Sequence, residues 1–351
     1  MSAIISKKFA STFSTLLILF AVVLAGCGQS GSNGGNAGNG NANAANAGTE
    51  GNAGSSDAAG SNAAPDPAAE RTVKDAMGEA VIKGTPARVV VLTNEGTEAL
   101  LALGVKPVGA VKSWTGSPWY DHIAKDMEGV TVVGEESQPN LELIASLKPD
   151  LIIGNKMRQE KVYEQLKAIA PTVFSETLRG AWQSNFKLYA EALGKKAEGD
   201  KIIADYDART ADFKAKAGDK LKDKVSVVRF MAGKIRIYLS DTFTGVAFDK
   251  LGITRPDNQN AFKETFAEEI TKERMPEADA DKIFYFTYDT GDGKGNQMEQ
   301  DMLKDPLWQS LKAVKNGQAY RVSDAIWNTA GGVIAANLML DDLYKLYDIQ
   351  P

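Results

Sequence analysis

Hydrophobic residues are distributed unevenly along this chain of 351 residues. A short apolar stretch covers residues 15–26. Residues 28–72, which follow it, include no Val, Ile, Leu, Met, Phe, Trp or Tyr. From there to the C-terminus, short apolar runs alternate with helical patterns. The pattern therefore predicts an apolar leader, a segment that cannot form a core, and a folded region of about 280 residues.

The first part of the folded region alternates between predicted strands and helices. Aliphatic runs predict buried strands at residues 88–92, 107–111, 151–153 and 171–174. Apolar spacing and capping signals predict helices at residues 95–103, 140–147 and 160–169. Gly104 ends the first of these helices, and Asn140 caps the second. This alternation predicts an α/β lobe with a sheet of parallel type over residues 72–180.

Residues 181–217 favour helix throughout, with weak points at Gly194 and Gly199. They form either one long helix with a kink or two helices, and they would connect the first lobe to a second lobe over residues 218–351. In that lobe the pattern predicts a hairpin of residues 225–231 and 235–239, strands at 282–286 and 318–322, and helices at 306–311 and 333–347.

An internal similarity relates the two lobes. Glu142 stands eight residues before Asp150, which precedes an apolar strand, and Glu273 stands eight residues before Asp281, which precedes another. The repeat suggests two lobes of similar plan, each with an acid at the start of a helix. The alternative is that both acids are ordinary solvated residues of a first helical turn.

The single cysteine, Cys27, follows the apolar stretch directly. Lys7 and Lys8 precede that stretch, which has the length of a signal-peptide core and is too short to span a bilayer. The junction resembles a bacterial lipobox, which implies a signal peptide over residues 1–26 and a lipidated Cys27. Residues 27–71 are then a flexible tether, because their composition cannot bury enough apolar area to offset the entropy of ordering.

Charge and residue inventory exclude several classes of function. The net charge of −5 becomes more negative by two without residues 1–26, which argues against a nucleic-acid binder. One histidine, His122, and one cysteine leave too few ligands for a zinc site and little for nucleophilic catalysis. The glycine-rich residues 291–296 match no phosphate-binding motif and are interpreted as a surface loop.

Ligands of α/β sheets bind beyond the carboxyl ends of the strands, and arginines and aromatic residues occur at such positions here. They suit an anionic and partly apolar ligand, because arginine binds anions through charge-assisted hydrogen bonds and aromatic rings exclude water. Arg179 and Arg229 are the strongest candidates, and Arg236 and Tyr238 share one face of a strand. The candidate ligand-binding residues are Trp114, Arg158, Arg179, Trp182, Arg229, Tyr238, Trp327 and Asn328.

Sequence motifs spread over residues 72–349 resemble a known family. They are TNEGTE at residues 93–98, LGVKPVG at 103–109, PNLE at 139–142, KPDLI at 148–152, DPLW at 305–308, GQAY at 317–320 and IWNTAGG at 326–332. The chain resembles the iron-siderophore-binding lipoproteins of Gram-positive ABC importers. Residues 226–238 and 326–332 look most like the branch that binds hydroxamates, including mixed citrate–hydroxamate siderophores such as schizokinen and arthrobactin.

This resemblance implies a class III periplasmic-binding-protein fold, in which a single long helix joins two α/β lobes and the ligand lies between them. It implies a monomeric, non-enzymatic receptor on the outer face of the cytoplasmic membrane, which delivers its ligand to the permease and ATPase subunits of an importer. No cofactor is implied, and no side chain ligates the metal, because the siderophore holds the iron.

The resemblance also implies roles for individual residues. Arg229 matches an arginine that meets the ferric complex, and Trp327 matches an aromatic residue of the last loop. Glu142 and Glu273 match the acids that dock onto the permease. Glu135 and Glu136 stand where Gram-negative hydroxamate receptors carry an arginine, so the first-lobe anion contact comes from Arg179 or Arg158.

Haem, cobalamin and catecholate siderophores are alternative ligands on the same fold. A tethered surface hydrolase is a further alternative of a different class. Clustered carboxyl groups with strongly raised pKa values in the cleft would favour the hydrolase.

Overall fold

The structure is a computed structural model that describes residues 70–260 and 265–351. Cys27, the apolar leader and nearly all of the tether lie outside the described residues. Those described begin with an antiparallel hairpin of β1 (Glu70–Asp75) and β2 (Gly78–Lys83). The sequence patterns did not predict this hairpin, in which only alternate side chains are buried.

The first lobe is built on a five-stranded parallel sheet with the strand order β5-β4-β3-β8-β9. A small hairpin of β6 and β7 lies beside it. The strands are β3 (Val89–Val91), β4 (Gly109–Ala110), β5 (Thr131–Val132), β6 (Gly134–Glu135), β7 (Gln138–Pro139), β8 (Leu151–Asn155) and β9 (Thr172–Ser175). The helices are α1 (Asn94–Ala102), α2 (Leu141–Ser146), α3 (Lys156–Gln159) and α4 (Tyr163–Lys167).

The connecting segment consists of two helices, α5 (Trp182–Ala192) and α6 (Lys196–Ala217). The break lies at Gly194, whose φ of +71° suits glycine and interrupts the helix. Helix α5 packs against α1 and β9 of the first lobe, whereas α6 packs against both α5 and the second lobe. The 22 residues of α6 therefore form the long helix that joins the lobes.

The second lobe is built on a mixed sheet with the strand order β12-β11-β10-β13-β14. Strands β10, β13 and β14 are parallel, and β11 and β12 are antiparallel to their neighbours. The strands are β10 (Val225–Met231), β11 (Lys234–Tyr238), β12 (Ala267–Ile270), β13 (Lys282–Thr287) and β14 (Ala319–Arg321). The helices are α7 (Phe243–Leu251), α8 (Asp257–Asn260), α9 (Lys294–Lys304), α10 (Pro306–Ser310), α11 (Lys312–Lys315) and α12 (Val333–Leu346).

The last helix, α12, packs against the first lobe. Although the sequence assigns it to residues 218–351, it contacts α1, and the backbone N–H of Ala335 donates to the Glu98 carboxylate at 2.9 Å. A buried acid on one helix thus caps the N-terminus of the other. The close approach requires Gly332, because a Cβ there would lie 2.6 Å from Glu98 Oε2.

The two aspartates of the sequence repeat, Asp150 and Asp281, occupy equivalent places in the lobes. Asp150 accepts hydrogen bonds from the backbone N–H groups of Ala87 and Arg88, directly before β3. Asp281 accepts one from the N–H of Lys224, directly before β10. In each lobe the aspartate therefore fixes the start of the strand that lies next to its own.

Candidate functional site

The order of the strands places a crevice at the edge of the first lobe. Strands β3 and β8 are neighbours, and the chain leaves them toward opposite sides of the sheet. At such a switch point the loops after the strands diverge and leave a ligand-sized gap. Glu95 follows β3 at this edge, and Arg158 follows β8.

Three parallel strands of the second lobe end opposite this crevice. Arg229 is near the end of β10, Tyr288 directly follows β13, and Asn328 lies in the π-helical turn Ala325–Thr329 after β14. The main cavity lies between the two sets of residues and has a volume of about 390 Å³. A neighbouring cavity, here called the mouth, has about 480 Å³ and shares Trp114, Glu136 and Tyr288 with the main cavity. Both volumes are typical of small-molecule sites.

Six of the eight predicted ligand-binding residues line the main cavity. They are Trp114, Arg158, Arg179, Arg229, Tyr238 and Asn328. The cavity wall also contains residues that the sequence analysis did not select, namely Glu95, Glu136, Phe266 and Tyr288. Tyr288 directly follows a correctly predicted strand, so the strand-end rule could have found it. Phe266 borders β12, which the patterns did not reveal.

The structure places Trp182 and Trp327 in the core, which corrects the prediction that they meet the ligand. Trp182 packs edge-on against Tyr206 and Phe243, with ring centroids 5.1 and 6.2 Å away. Trp327 is fully buried, and its indole Nε1–H donates to Asp342 Oδ2 at 3.0 Å. A position near a strand end therefore did not distinguish a ligand contact from a packing residue.

Arg229 already has an anionic partner inside the protein. Its Nε lies 2.7 Å from Asp324 Oδ1, and its Nη2 donates to Asp324 Oδ2 at 3.0 Å. Its Nη1 donates to the Tyr238 hydroxyl at 2.8 Å. Burial alone would lower the pKa of Arg229, but Asp324 and Tyr238 outweigh this effect and raise it. The guanidinium faces the cavity as one half of a buried ion pair, so its charge is largely balanced.

Two other arginines hold their partners loosely. Arg179 lies 3.6 Å from Asp241, and Arg236 lies 3.5 Å from Glu269, with all four side chains partly exposed. Both guanidinium groups lie over the Phe266 ring, 4.2 and 5.6 Å from its centroid. Exposed pairs at this distance contribute little energy. A ligand anion can therefore compete for both arginines beside an apolar surface.

The first-lobe wall of the cavity contains two acids, Glu136, which is paired with Arg158, and the buried Glu95. Glu136 accepts hydrogen bonds from the backbone and side-chain nitrogens of Asn94, both at 2.8 Å, and lies 3.4 Å from Arg158 Nε. The Arg158 guanidinium lies 5.7 Å from the centroid of Trp114. Burial raises the pKa of Glu95 to about 8. Glu136, in contrast, is held by Asn94 and Arg158.

A further cavity of about 760 Å³ lies beside the cleft and is larger than the main cavity. Four aspartates line it, Asp121, Asp289, Asp324 and Asp342, against the basic residues Arg321 and Lys345. Its acidic excess disfavours an anion, whereas the main cavity carries four arginines. We therefore take the main cavity and its mouth as the ligand site.

The two predicted docking acids are both exposed. Glu142 lies in the first turn of α2, after Asn140, whose side chain accepts from the N–H of Leu143. Glu273 lies in the first turn of a 3₁₀ helix over Lys272–Ala278. Hydrogen bonds from the Thr271 hydroxyl and its own backbone N–H lower the pKa of Glu273. Each lobe thus presents an acid to solvent at a helix start.

Within residues 70–260 and 265–351, no helix is long and apolar enough to cross a membrane. Nor does that part of the chain bring three His, Cys, Asp or Glu side chains together in a group that could hold a metal ion. Residues 291–296, predicted to form a surface loop, are mostly exposed, and α9 begins within them at Lys294.

Comparisons with known proteins agree with this architecture. Residues 89–325 match the family model described as "Periplasmic binding protein". A protein of Bacillus subtilis (strain 168), named probable siderophore-binding lipoprotein YfiY, is 53% identical over 297 residues, which cover 82% of this chain and 91% of the relative. The achromobactin-binding periplasmic protein of Dickeya dadantii (strain 3937) is 31% identical, over 75% of this chain and 87% of its own length.

A solved structure is also similar. Staphylococcus aureus SirA, crystallised with staphyloferrin B, superposes with a TM-score of 0.74 and is 37% identical. The match covers 80% of this chain and 99% of SirA. The relatives from Bacillus subtilis and Dickeya dadantii are named as binding proteins and not as enzymes. The similarity extends over both lobes, so it applies to the cleft as well as to the separate sheets.

Proposed function

This chain belongs to the periplasmic binding protein family, and we propose that it is the siderophore-binding component of an iron-uptake ABC importer. The main support is the cleft itself, where arginines and aromatic residues from both lobes converge on a cavity of about 390 Å³. The names of its relatives, which include siderophore-binding proteins, support the same ligand class.

The ligand proposed is a ferric hydroxamate of the mixed citrate–hydroxamate type, such as ferric schizokinen. A citrate carboxylate would be held by Arg179 and Arg236, because their own partners are more than 3.4 Å away. Phe266 and Trp114 would cover the apolar chains of the siderophore. The siderophore supplies the oxygen ligands of the iron, so the protein needs only to recognise the outer surface of the complex.

Arg229 has a different role in this proposal. Its ion pair with Asp324 fixes the guanidinium at the cavity wall, together with the Tyr238 hydroxyl. It would present preorganised N–H groups to the complex while adding little net charge. Arg158 would do the same on the first lobe, where Glu136 holds it. Asn328 would provide a neutral polar contact from the last loop.

The cellular setting proposed is the outer face of the cytoplasmic membrane, with the protein anchored through a lipid on Cys27. A relative that carries the word lipoprotein in its name supports the anchor. Cys27→Ser should therefore release the protein into the culture medium, which immunoblotting of membrane and medium fractions would detect. Retention of the variant on the membrane would contradict the anchor.

The ligand can be tested by isothermal titration calorimetry. Ferric schizokinen and ferric arthrobactin should bind the purified protein, and haem, cobalamin and a ferric triscatecholate should bind at least about tenfold more weakly. Apo-schizokinen serves as the control for the contribution of the iron complex. Tighter binding of the triscatecholate or of haem would show that this compound, and not a ferric hydroxamate, is the ligand. Absence of heat with all of them would contradict siderophore binding.

A further inference from the structure

Glu95 places a carboxyl group in the cavity wall without a basic partner. It lies in the first turn of α1, is only 6% exposed and lines the main cavity. Its Oε1 accepts a hydrogen bond from Asn185 Nδ2 at 2.8 Å. Among the described residues, no Arg, Lys or His nitrogen forms an ion pair with it. The arginines of the cleft are paired elsewhere or lie on the opposite wall.

The groups that face Glu95 from the surrounding elements are neutral or acidic. Helix α5 contributes Asn185 and the Tyr189 hydroxyl, the β6–β7 turn contributes Glu136, and α1 itself contributes Glu98. The start of α12 contributes Gly332, which has no side chain and packs over Glu98. Arg158 is paired with Glu136.

This environment favours the protonated form of Glu95. Burial is the largest cause of its raised pKa of about 8, and the charges of Glu136 and Glu98 add to it, although the Asn185 hydrogen bond acts in the opposite direction. Near pH 7 most molecules therefore carry a proton on this carboxyl group.

We propose that Glu95 is a specificity-determining residue that faces the ligand as a neutral acid and donates a hydrogen bond to an anionic oxygen of the bound complex. The inference rests on the proposed function and deepens it. A neutral carboxyl group can approach an anion, whereas a carboxylate in the same place would repel it. Glu95 thereby selects oxygen-rich anionic ligands and sets an upper pH limit to binding, because its proton is lost as the pH rises through about 8.

An ionised Glu95 would have the opposite preference and would bind an ammonium group of the ligand. Variants separate these two roles. Glu95→Gln keeps a hydrogen-bond donor and removes the charge. Glu95→Leu has a similar volume and removes the donor. Glu128→Gln is the matched control, because Glu128 is an exposed acid on the same lobe outside the cavity.

The first experiment needs no ligand. A buried acid whose pKa is about 8 in the folded protein and near 4.5 when unfolded destabilises the fold progressively as the pH rises between these values. The melting temperature of Glu95→Gln, relative to the wild type, should therefore rise from about pH 5 to about pH 8. The Glu128→Gln control should show no such trend. A pH-independent difference for Glu95→Gln would overturn the neutral-acid state.

The second experiment measures binding of ferric schizokinen by calorimetry at about pH 6.5 and about pH 9. The wild type and Glu128→Gln should lose affinity at the higher pH, whereas Glu95→Gln should bind equally well at both. Glu95→Leu should bind about tenfold more weakly at the lower pH. Equal weakening by Gln and Leu, or a flat wild-type profile, would overturn the proposal. If the wild type does not bind ferric schizokinen at the lower pH, the proposed ligand fails, and the melting experiment still decides the protonation state of Glu95.

Discussion

The arginines of the cleft differ in how firmly the protein already holds them. Arg229 is buried and tightly paired with Asp324, whereas Arg179 and Arg236 lie partly exposed at 3.6 and 3.5 Å from their partners. An anion gains most from a cation whose charge is not already balanced. Arg179 and Arg236 should therefore determine affinity, and Arg229 should determine the shape and stability of the wall.

The loosely paired arginines give a prediction about affinity. Arg179→Gln and Arg236→Gln should each weaken binding of ferric schizokinen by about tenfold, since each removes one charge-assisted contact. The free energy of unfolding should change by less than about 1 kcal/mol, because exposed ion pairs contribute little. Titration calorimetry and urea denaturation measure the two quantities. Unchanged affinity in both variants would remove these residues from the anion site.

The buried pair gives a prediction about stability. Arg229→Leu should lower the free energy of unfolding by about 3–5 kcal/mol, because it leaves the Asp324 carboxylate buried without a basic partner. A second substitution, Asp324→Leu, should recover much of this loss by removing the uncompensated charge. Chemical denaturation of the single and double variants tests the coupling. A single variant as stable as the wild type would show that the pair is not held as described.

Residue-level prediction from sequence selected several side chains that the structure places in the cavity wall. Six of the eight candidates line the cavity, and three of these six are arginines near strand ends. It failed for Trp182 and Trp327, because a tryptophan after a strand fits the core equally well. Glu95 and Glu136 were missed because the sequence does not reveal which acids become desolvated.

Two parallel strands, β3 and β8, and the helix α12 position the site. The ends of β3 and β8 open the crevice, and α12 returns from the second lobe to pack on α1 behind it. The contact is tight, because Glu98 caps α12 and Gly332 lies against its carboxylate. His122 lies 2.6 Å from the same carboxylate. The cleft is thus supported from behind by a packed interface between the lobes.

This interface gives a prediction about a single methyl group. Gly332→Ala should lower the free energy of unfolding by about 1–3 kcal/mol, because its Cβ would lie 2.6 Å from Glu98 Oε2 and 2.7 Å from Glu98 Cβ. Glu128→Ala, at an exposed position of the first lobe, is the control and should change little. Urea denaturation measures both, and equal stabilities would contradict the described packing.

Elements were predictable where their apolar runs were continuous. The strands at β8, β9 and β10 were found because these segments are buried on both faces. Strand β13 and the hairpin of β10 and β11 were found from their apolar runs, although both include partly exposed side chains. Hairpin β1–β2, strand β12 and helices α7 and α9 were missed. Strands β1, β2 and β12 have few buried side chains, and tertiary contacts stabilise such segments more than local propensity does. The placement of α12 could not be read from sequence, because it depends on contacts far apart in the chain.

At the scale of the whole molecule, one apolar core extends through both lobes. It includes Val91 and Phe186 on the first-lobe side, Phe213 of α6, and Phe284 and Trp327 on the second-lobe side. Smaller clusters cover the outer faces of the two sheets. A continuous core resists large rotation of the lobes, because opening would expose apolar surface. The exposed acids Glu142 and Glu273 would then face a partner in a fixed arrangement.

The exposed acids give a prediction for transport. We propose that Glu142 and Glu273 dock onto basic sites of the permease, so Glu142→Arg combined with Glu273→Arg should abolish uptake of radiolabelled ferric schizokinen in cells by charge repulsion. Binding by the purified double variant should be unchanged, since neither residue lines the cavity. Glu128→Arg with Asp301→Arg is the charge-matched control. Normal uptake by the first pair would contradict the docking role.

The most direct test of ligand binding in the cleft is tryptophan fluorescence during titration with ferric schizokinen. Trp114 is half-buried and lines both the main cavity and its mouth, whereas Trp308 is buried in the outer cluster of the second lobe. Saturable quenching is expected in the wild type and in Trp308→Phe, and most of it should be lost in Trp114→Phe. Absence of quenching in the wild type, or full quenching in Trp114→Phe, would contradict binding of a ferric hydroxamate in this cleft.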